Sequence, residues 1–566
     1  MTPLALEIWN ARYRLDSGVA NAEADIAASW RRVAEAVAAA EDEPQRWQDA
    51  FVSILSDFRF LPGGRILAGA GAGRQVTLIN CFVSGPISDS LDGILESLRE
   101  TAVTMQKGGG IGLDFSALRP SGATAARTGT VASGPVTFMH TWDALCETLL
   151  STSSRRGAMM GTLRCDHPDI EAFIGAKRGG GALRNFNLSV LITDAFMQAL
   201  DEDGDWPLTW PAAPAPDARV YDRMAAHDTA EPGVLFIDTV NRNNNLYYCE
   251  TISATNPCGE IPLPPFGACD IGSINLTKFI DKPFANNSRL DADALGEVVR
   301  IAVRFLDDVI DISHFPLEQQ AAEARKTRRI GLGITGLGDA LAMLGLHYDS
   351  SAARAFAASA MCTIRNNAYR ASVETARSKG AFPAFDRDPY LDAPFVRRLP
   401  GKVRDAIASH GVRNSHLLAI APAGSISLLA GNVSSGIEPI YALDAMRIIR
   451  DRQLNTRERD ARDYAFALWS GSKSAAAGMP ACLVTADMLP ATAHLDMQAC
   501  LQPYVDGAIS KTVNLPPAAS VGDVAAIYAS AYRLGIKGCT VFRPGTCTGQ
   551  VIRNKDGGAA ADEAQH

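Results

Sequence analysis

Within five residues, Asn256-Pro257-Cys258-Gly259-Glu260, the chain sets out an amide, a thiol and a carboxylate, and a further thiol, Cys269, follows eleven positions after Cys258. Pro257 fixes its own φ and turns Asn256 toward an extended backbone, while Gly259 permits close backbone approach or an unusual dihedral. No helix is built this way. The stretch reads as a tight, rigid loop whose short polar side chains converge on a cavity. Taken alone it reads as easily as a Pro/Gly turn with a buried cysteine, so its meaning rests on the elements around it.

Those elements belong to a long globular chain. With 566 residues, 47% hydrophobic and 20% charged, it can hold several average domains or one large α/β unit with additions. A net charge of −8 and a pI near 5.7 argue against a duplex nucleic-acid binder, which needs basic surface. Anionic small ligands stay open, because Gly-rich turns and helix N-termini hold phosphate without bulk positive charge. The start carries no basic segment followed by an apolar one, and no run of about eighteen apolar residues occurs, so neither a signal peptide nor a membrane span is expected and the cytoplasm is the expected location. The eleven cysteines are scattered, odd in number and without C-x-x-C, which is neither a disulfide framework nor a zinc site.

In chain order, residues 1–60 are Ala-rich with apolar positions at helical spacing, and a Gly-rich turn over 61–73 ends that region. QVTLINCFVSG reads as a strand carrying Cys81. A helix starts near Asp89-Ser90-Leu91-Asp92, with Ser or Asp as N-cap, and stops at Lys107-Gly108-Gly109-Gly110. From about 135 helices and strands alternate: helix VTFMHTWDALCETLL, short helix HPDIEAFI, basic Gly-rich loop KRGGGALRN, strand FNLSVLIT. Residues 202–245 are polar and Pro-rich and read as irregular. Beyond the central loop come strand ACDIGSINL, a helix over 291–312, RRIGLGITGLGDAL as strand or turn into helix, a helix over 353–380, and HLLAIAPAGSISLLAG as strand, turn and helix. At that last turn, Ala423-Gly424-Ser425-Ile426-Ser427 offers backbone N–H groups and hydroxyls suited to a diphosphate, or simply a capped helix. ISKTVNLP and GIKGCTVFR are late strands, and the tail from Thr548 reads as disordered. The division is a helical region 1–60, an α/β catalytic domain 61–547 and the tail 548–566.

Taken together, LINCFVSG, SLDGI, KGGGIGLDFSALRP, HPDIEAFI, LRNFNLSV, NPCGE, ACDIGSINL, RRIGLGITGLGDAL, APAGSIS, GIEP, ISKTVNLP and GIKGCTVFR resemble the catalytic subunit of ribonucleotide reductase, over about residues 55–545. The resemblance implies a ten-stranded α/β barrel with NPCGE on a finger loop inside it. It assigns Cys258 the radical that activates the ribose at C3′, Glu260 the general base for the 3′-hydroxyl, and Asn256 the hold on substrate hydroxyls. It makes Cys81 and Cys269 the dithiol that becomes a disulfide, one of them protonating the departing 2′-hydroxyl. Gly64, Asn80 and Gly109, together with Pro422, Ala423, Gly424, Ser425 and Ile426, match the substrate site. Asp89, Leu91 and Arg119 match the site of a deoxynucleotide effector, and KRGGGALRN the loop that relays effector identity to the substrate base.

The same resemblance bears on the radical source. Oxygen-dependent members receive the radical from a second subunit through two adjacent tyrosines, where this chain has Thr540 and Val541. The anaerobic class carries a glycyl-radical motif and a four-cysteine zinc site, both absent from the sequence. GCTVFRPGT is similar to the adenosylcobalamin-dependent class, so adenosylcobalamin is the expected cofactor and no metal site is expected from the protein itself. Expected partners are a ribonucleotide substrate, a dNTP effector, a thioredoxin-like reductant and a second copy of the chain. Two features depart from many members: no C-terminal cysteine pair follows Cys547, and no ATP-cone precedes the helical start. A reductase fed by a separate radical-generating protein and a non-catalytic nucleotide sensor are the alternatives.

Overall fold

The structure is a computed structural model that describes residues 1–15, 22–124, 129, 131–150, 157–178, 182–210, 231–450, 456–472, 478–543 and 552–554. Its ordering principle is a ring of short strands. These are β1 (Phe60–Pro62), β2 (Cys81–Val83), β3 (Gly110–Asp114), β4 (Met159–Arg164), β5 (Phe186–Ile192), β6 (Gly233–Phe236), β7 (Ala268–Asn275), β8 (Ile330–Thr335), β9 (Thr512–Asn514) and β10 (Gly538–Phe542). Strands β2 to β6 run parallel, each bonded to the next. The other half is parallel within itself. There β10 pairs with β9, Ile509 bridges to Ile420, Leu418 bridges to Leu332 of β8, and β8 pairs with β7. The halves meet antiparallel at β6–β10 and at β2–β7. With residues 418–420 as a member, nine labelled strands plus one close the expected ten-stranded ring, and β1 adds to the far end of β7.

Closure explains the composition of the strands. Most have packed side chains on both faces, so β8 reads IGLGIT and is buried throughout rather than alternating, whereas β9 and β10 alternate. Helices form the outer layer. Helix α1 (Ile26–Ala38) is capped by Asp25, which accepts from the Ala28 N–H at 2.8 Å, and buries Trp30, Val33, Ala34, Val37 and Ala38 at helical spacing. Helix α2 (Ala292–Ile312) buries an apolar face that includes Val299, Val303 and Leu306. Its buried Asp307 is held by Arg328 (2.8 Å), Arg413 (3.1 Å) and Asn414 (2.8 Å), which offsets the cost of taking a carboxylate out of water.

Three expectations need correcting. Within the turn expected at 61–73, Phe60–Pro62 is a strand and Gly64–Gly69 a short helix, because β7 offers Phe60, Leu61 and Pro62 an edge. Within 202–245, expected to be irregular, Gly233–Phe236 is β6 and Ile237–Arg242 a helix. Four apolar residues, GVLF, suffice where both neighbours in the ring are already present. In the tail expected to lack structure, Ile552–Asn554 pairs antiparallel with Asp444–Arg450, which also pairs with Thr456–Arg462. Among the described residues no helix is long and apolar enough to cross a membrane.

Candidate active site

The central loop enters the ring as a narrow hairpin. Ala254–Thr255 pairs antiparallel with Pro262–Leu263, and the tip is closed by Asn256 N–H to Ile261 O (3.3 Å) and Gly259 N–H to Asn256 O (3.1 Å). Gly259 takes φ +83°, the left-handed value that its lack of Cβ permits. The finger touches both halves of the barrel: Asn187 Nδ2 of β5 donates to Pro257 O (2.8 Å), and Ala508 N–H donates to Glu260 O (2.9 Å). Room for it is made by glycine on the inward face of β3. A Cβ on Gly112 would lie 1.9 Å from the Thr255 carbonyl oxygen, and one on Gly110 would lie 3.2 Å from Pro257 Cγ.

Beneath the tip the thiols converge. Cys81 and Cys269 are direct cross-strand partners of the antiparallel β2–β7 pair. Both are buried, as are Asn256 and Glu260. Asn256 Nδ2 donates to Glu260 Oε1 (2.8 Å) and lies 3.2 Å from Cys81 Sγ, while Asn256 Oδ1 accepts from Ile261 N–H (2.9 Å). Glu260 Oε1 is 3.9 Å from Cys81 Sγ, and Glu260 Oε2 is buried without a hydrogen-bond partner among the described residues. Cys258 sits half-buried at the tip beside Gly259, where an added Cβ would meet nothing within 4 Å.

Burial governs the protonation of this group. It pushes the Glu260 carboxyl up to about 7, against hydrogen bonds from its own backbone, Asn256 and Cys81 that favour the charged form. It also pushes the Cys258 thiol well above its ordinary value, with the Glu260 carboxylate adding to the shift. Cys81 is raised by burial first, then by Glu260 and the two other thiols, and Cys269 by burial first, then by Asp270. A nucleophilic cysteine needs the opposite shift, toward thiolate. Two buried and one half-buried S–H group around a carboxyl that titrates near neutrality suit hydrogen-atom and proton transfer instead.

Of the residues expected to hold substrate, Asn80 adjoins this group in sequence. Asn80 precedes Cys81, accepts from Gly110 N–H through its carbonyl (2.9 Å), and has a buried, unpartnered Oδ1. A Cβ on Gly63 would lie 2.5 Å from that oxygen, so Gly63, beside the expected Gly64, is what admits the Asn80 side chain. Gly109 faces the core, where a Cβ would meet the Phe82 ring at 2.6 Å. The Pro422–Ile426 turn leads from the 418–420 strand into the short helix Gly424–Leu429. Ala423 N–H is taken by Ser435 Oγ (2.7 Å), and Ser425 Oγ meets the Tyr13 hydroxyl (2.5 Å), a contact from the N-terminal helical region that local pattern could not reveal.

The expected effector residues form a separate cluster. Asp89 does not cap the following helix, Leu91–Gln106; Ser90 does, accepting from Gly93 N–H at 3.1 Å. Asp89 instead pairs with Arg119, whose Nε lies 2.9 Å from its Oδ2 and whose N–H donates to Oδ1 (3.1 Å). Leu91 is 64% exposed and Leu95, one turn on, 50% exposed. Of the KRGGGALRN loop, positions 179–181 lie outside the described residues, as does Cys547; Lys177 pairs with Glu231 at 2.7 Å.

At the positions expected to decide the radical source, Thr540 Oγ1 donates to Lys511 O (3.4 Å) and Val541 is buried. Neither side chain can carry a one-electron oxidation to Cys258. The open space at Gly259 leaves the tip approachable, which fits a radical source that binds beside it.

A family model described as "Ribonucleotide reductase, barrel domain" matches residues 79–227 and 220–542, and one described as "Ribonucleotide reductase, all-alpha domain" matches residues 1–75. The chain is 41% identical over 550 residues to the vitamin B12-dependent ribonucleoside-diphosphate reductase of Mycobacterium tuberculosis, covering 92% of this chain and 76% of that protein. It is 36% identical over 528 residues to the protein of the same name from Thermoplasma acidophilum, covering 89% and 66%. Against the ribonucleoside-diphosphate reductase subunit alpha of Chlamydia muridarum it is 28% identical over 476 residues, covering 73% and 45%.

Proposed function

The chain belongs to the ribonucleotide reductase family, and from that premise we propose that it is an adenosylcobalamin-dependent ribonucleoside-diphosphate reductase, forming 2′-deoxyribonucleotides by thiyl-radical chemistry. The observation that carries the reading is the cross-strand pairing of Cys81 with Cys269 directly under a tip that bears Cys258, with Asn256 joining Cys81 to Glu260. A non-catalytic sensor would have no use for that set.

Adenosylcobalamin, when bound beside the tip, would supply the oxidising equivalent that turns the Cys258 thiol into a thiyl. The remaining steps belong to the chain. Cys258 as thiyl removes the C3′ hydrogen, and Glu260, through its unpartnered Oε2, takes the 3′-hydroxyl proton. Loss of the 2′-hydroxyl, a poor leaving group, then becomes feasible. The contact of Cys81 with Asn256 and its nearness to Glu260 support giving Cys81 the proton transfer to that hydroxyl. Oxidation of Cys81 and Cys269 to a disulfide delivers two electrons, and Cys258 returns its hydrogen to C3′. Asn80 and the Ala423–Ser425 turn are assigned to the ribose and the diphosphate. Gly64 and Gly109 contribute backbone to the same wall.

We assign Asp89, Leu91 and Arg119 to a dNTP effector site. The exposed Leu91 and Leu95 support a homodimer contact on that helix, and we assign a thioredoxin-like protein as reductant and the cytoplasm as location. The test is direct. Purified chain with a ribonucleoside diphosphate, dithiothreitol and adenosylcobalamin should form deoxynucleotide with no second protein and no oxygen. Cys258→Ala should form none while still binding nucleotide. Activity that requires a metal-containing partner and ignores adenosylcobalamin would overturn the cofactor assignment and favour the subunit-fed alternative.

A further inference from the structure

Beside Cys269 lies a small cluster of charge that the proposed reaction does not use. Arg329, the residue before β8, and His416, before the 418–420 strand, line a cavity of about 20 Å³ together with Cys269, Ile261, Pro262 and Gly507. Arg329 is 3% exposed and anchored on two sides: its Nη2 donates to Glu250, and its Nε donates to His416 Nδ1 (3.2 Å). Glu250 is held in turn by Asn244 Nδ2 (2.9 Å). The remaining Arg329 nitrogen, Nη1, is buried with no hydrogen-bond partner among the described residues. A buried guanidinium normally spends every donor, because an unmade hydrogen bond there costs the full desolvation of the group.

The dithiol therefore has two unlike ends. Asn256 and Glu260 contact Cys81, whereas the Arg329 cluster shares its cavity with Cys269. Resting on the reading of Cys81 and Cys269 as the redox pair, we propose that Arg329 is a positioning residue for re-reduction: it stabilises Cys269 as the departing thiolate, so that an external thiol attacks the sulfur of Cys81. The electrons balance as follows. The external thiolate bonds to Cys81 Sγ, the Cys81–Cys269 bond breaks, and its electron pair goes to Cys269 Sγ beside Arg329. The second external thiol then attacks its partner in the mixed disulfide and releases Cys81. Each enzyme thiolate takes up one proton, Glu260 being the carboxyl nearest Cys81, and the external dithiol ends as a disulfide.

The surroundings agree in sign. Among the largest influences on Cys269, Asp270, Glu260 and Asp506 push its thiol up and Arg329 pulls it down, while those on Cys81 include no cation. Thiol–disulfide exchange runs faster as the leaving thiol becomes more acidic.

The experiment needs neither cofactor nor nucleotide, so it is read independently of the turnover assay that tests the reductase assignment. The purified chain is oxidised with diamide, exposed briefly to 2-mercaptoethanol, quenched with N-ethylmaleimide and mapped by peptide mass spectrometry. The expected map has mercaptoethanol on Cys81 and maleimide on Cys269; the reverse overturns the proposal. Arg329→Gln should slow reduction of the diamide-formed disulfide by dithiothreitol about tenfold, and Arg329→Lys, which keeps the charge, should restore it to within about threefold. Equal rates in wild type and Arg329→Gln would also overturn it. Should Arg329→Gln fail to fold, with Glu250 left unpaired, the wild-type map still decides.

Discussion

Replacing Glu260 by glutamine should damage activity and change how stability depends on pH. The wild-type carboxyl is pushed up to about 7 from an ordinary 4.5. Between those values the folded chain holds a proton that the unfolded chain has released, so stability falls as pH rises through that window and is level on either side. The difference is about 2.5 units, and at about 1.4 kcal/mol per unit it amounts to roughly 3 kcal/mol lost between pH 4.5 and 8. Glutamine cannot ionise and escapes that loss. Its amide donor, lying where Oε2 has no partner, adds a pH-independent cost of about 1–3 kcal/mol. The stability of Glu260→Gln minus that of wild type should therefore rise by roughly 3 kcal/mol from pH 4.5 to 8, whatever its starting value.

Urea unfolding of both proteins at four pH values measures this, and taking the difference removes other raised carboxyls. Asp308, raised to about 9 by burial, and Asp270 and Asp463, raised well above the ordinary range, titrate in both proteins alike. Turnover should fall by a factor on the order of 100 or more with the base removed, and wild-type turnover should climb with pH to a plateau through an apparent pKa near 7. A stability difference that stays flat with pH would refute the account, because the carboxyl would then not be held protonated by burial.

Cys81→Ser or Cys269→Ser should end multiple turnover with dithiothreitol, because no disulfide can form, whereas Cys146→Ser, at a buried thiol outside the site, should lower stability by about 1–3 kcal/mol and leave repeated turnover in place; product per active site measured with and without reductant separates them. Gly112→Ala should displace the finger, since its Cβ would fall 1.9 Å from the Thr255 carbonyl; turnover should drop sharply while the melting curve reports a loss of about 1–3 kcal/mol. Asp89→Asn should change which ribonucleotide each dNTP favours with little change in stability, because its pair with Arg119, each side chain 31% exposed, is worth less than about 1 kcal/mol; unchanged base preferences across the dNTPs would count against an effector site there.

The chemistry of the site was legible where it is carried by residue type and short spacing. Asn256, Cys258 and Glu260 lie within one turn, and their loop could be read from Pro257 and Gly259 without a fold. The partnership of Cys81 with Cys269 spans 188 positions in sequence and came only through resemblance, because nothing local distinguishes either thiol from the buried Cys146 or Cys165. Strand β4 and strand β6 went unseen for a related reason. MMGTLR and GVLF carry no alternation, since a strand inside a closed ring is covered on both faces and needs no polar side. The run Lys107–Gly110 read correctly as a helix stop, yet its continuation has a second duty: Gly110 and Gly112 share the inward face of β3 and clear the path of the finger. Arg329 and Tyr13 could not be singled out at all, because their significance lies in what Glu250, His416 and Ser425 bring to them from distant parts of the chain.

Drawing three thiols and a carboxyl into a closed barrel solves one problem and raises another. It keeps Cys258 as S–H, ready to give up a hydrogen atom, and keeps Cys81 able to donate a proton. The same burial disfavours every thiolate, and re-reduction must pass through thiolates. A uniformly apolar pocket would protect the radical and leave the disulfide slow to reduce. The barrel instead places Arg329 on the Cys269 side and its titrating carboxyl on the Cys81 side. On the proposed assignment the Cys81 end remains protic, and the end beside Arg329 can bear negative charge for the time an exchange requires.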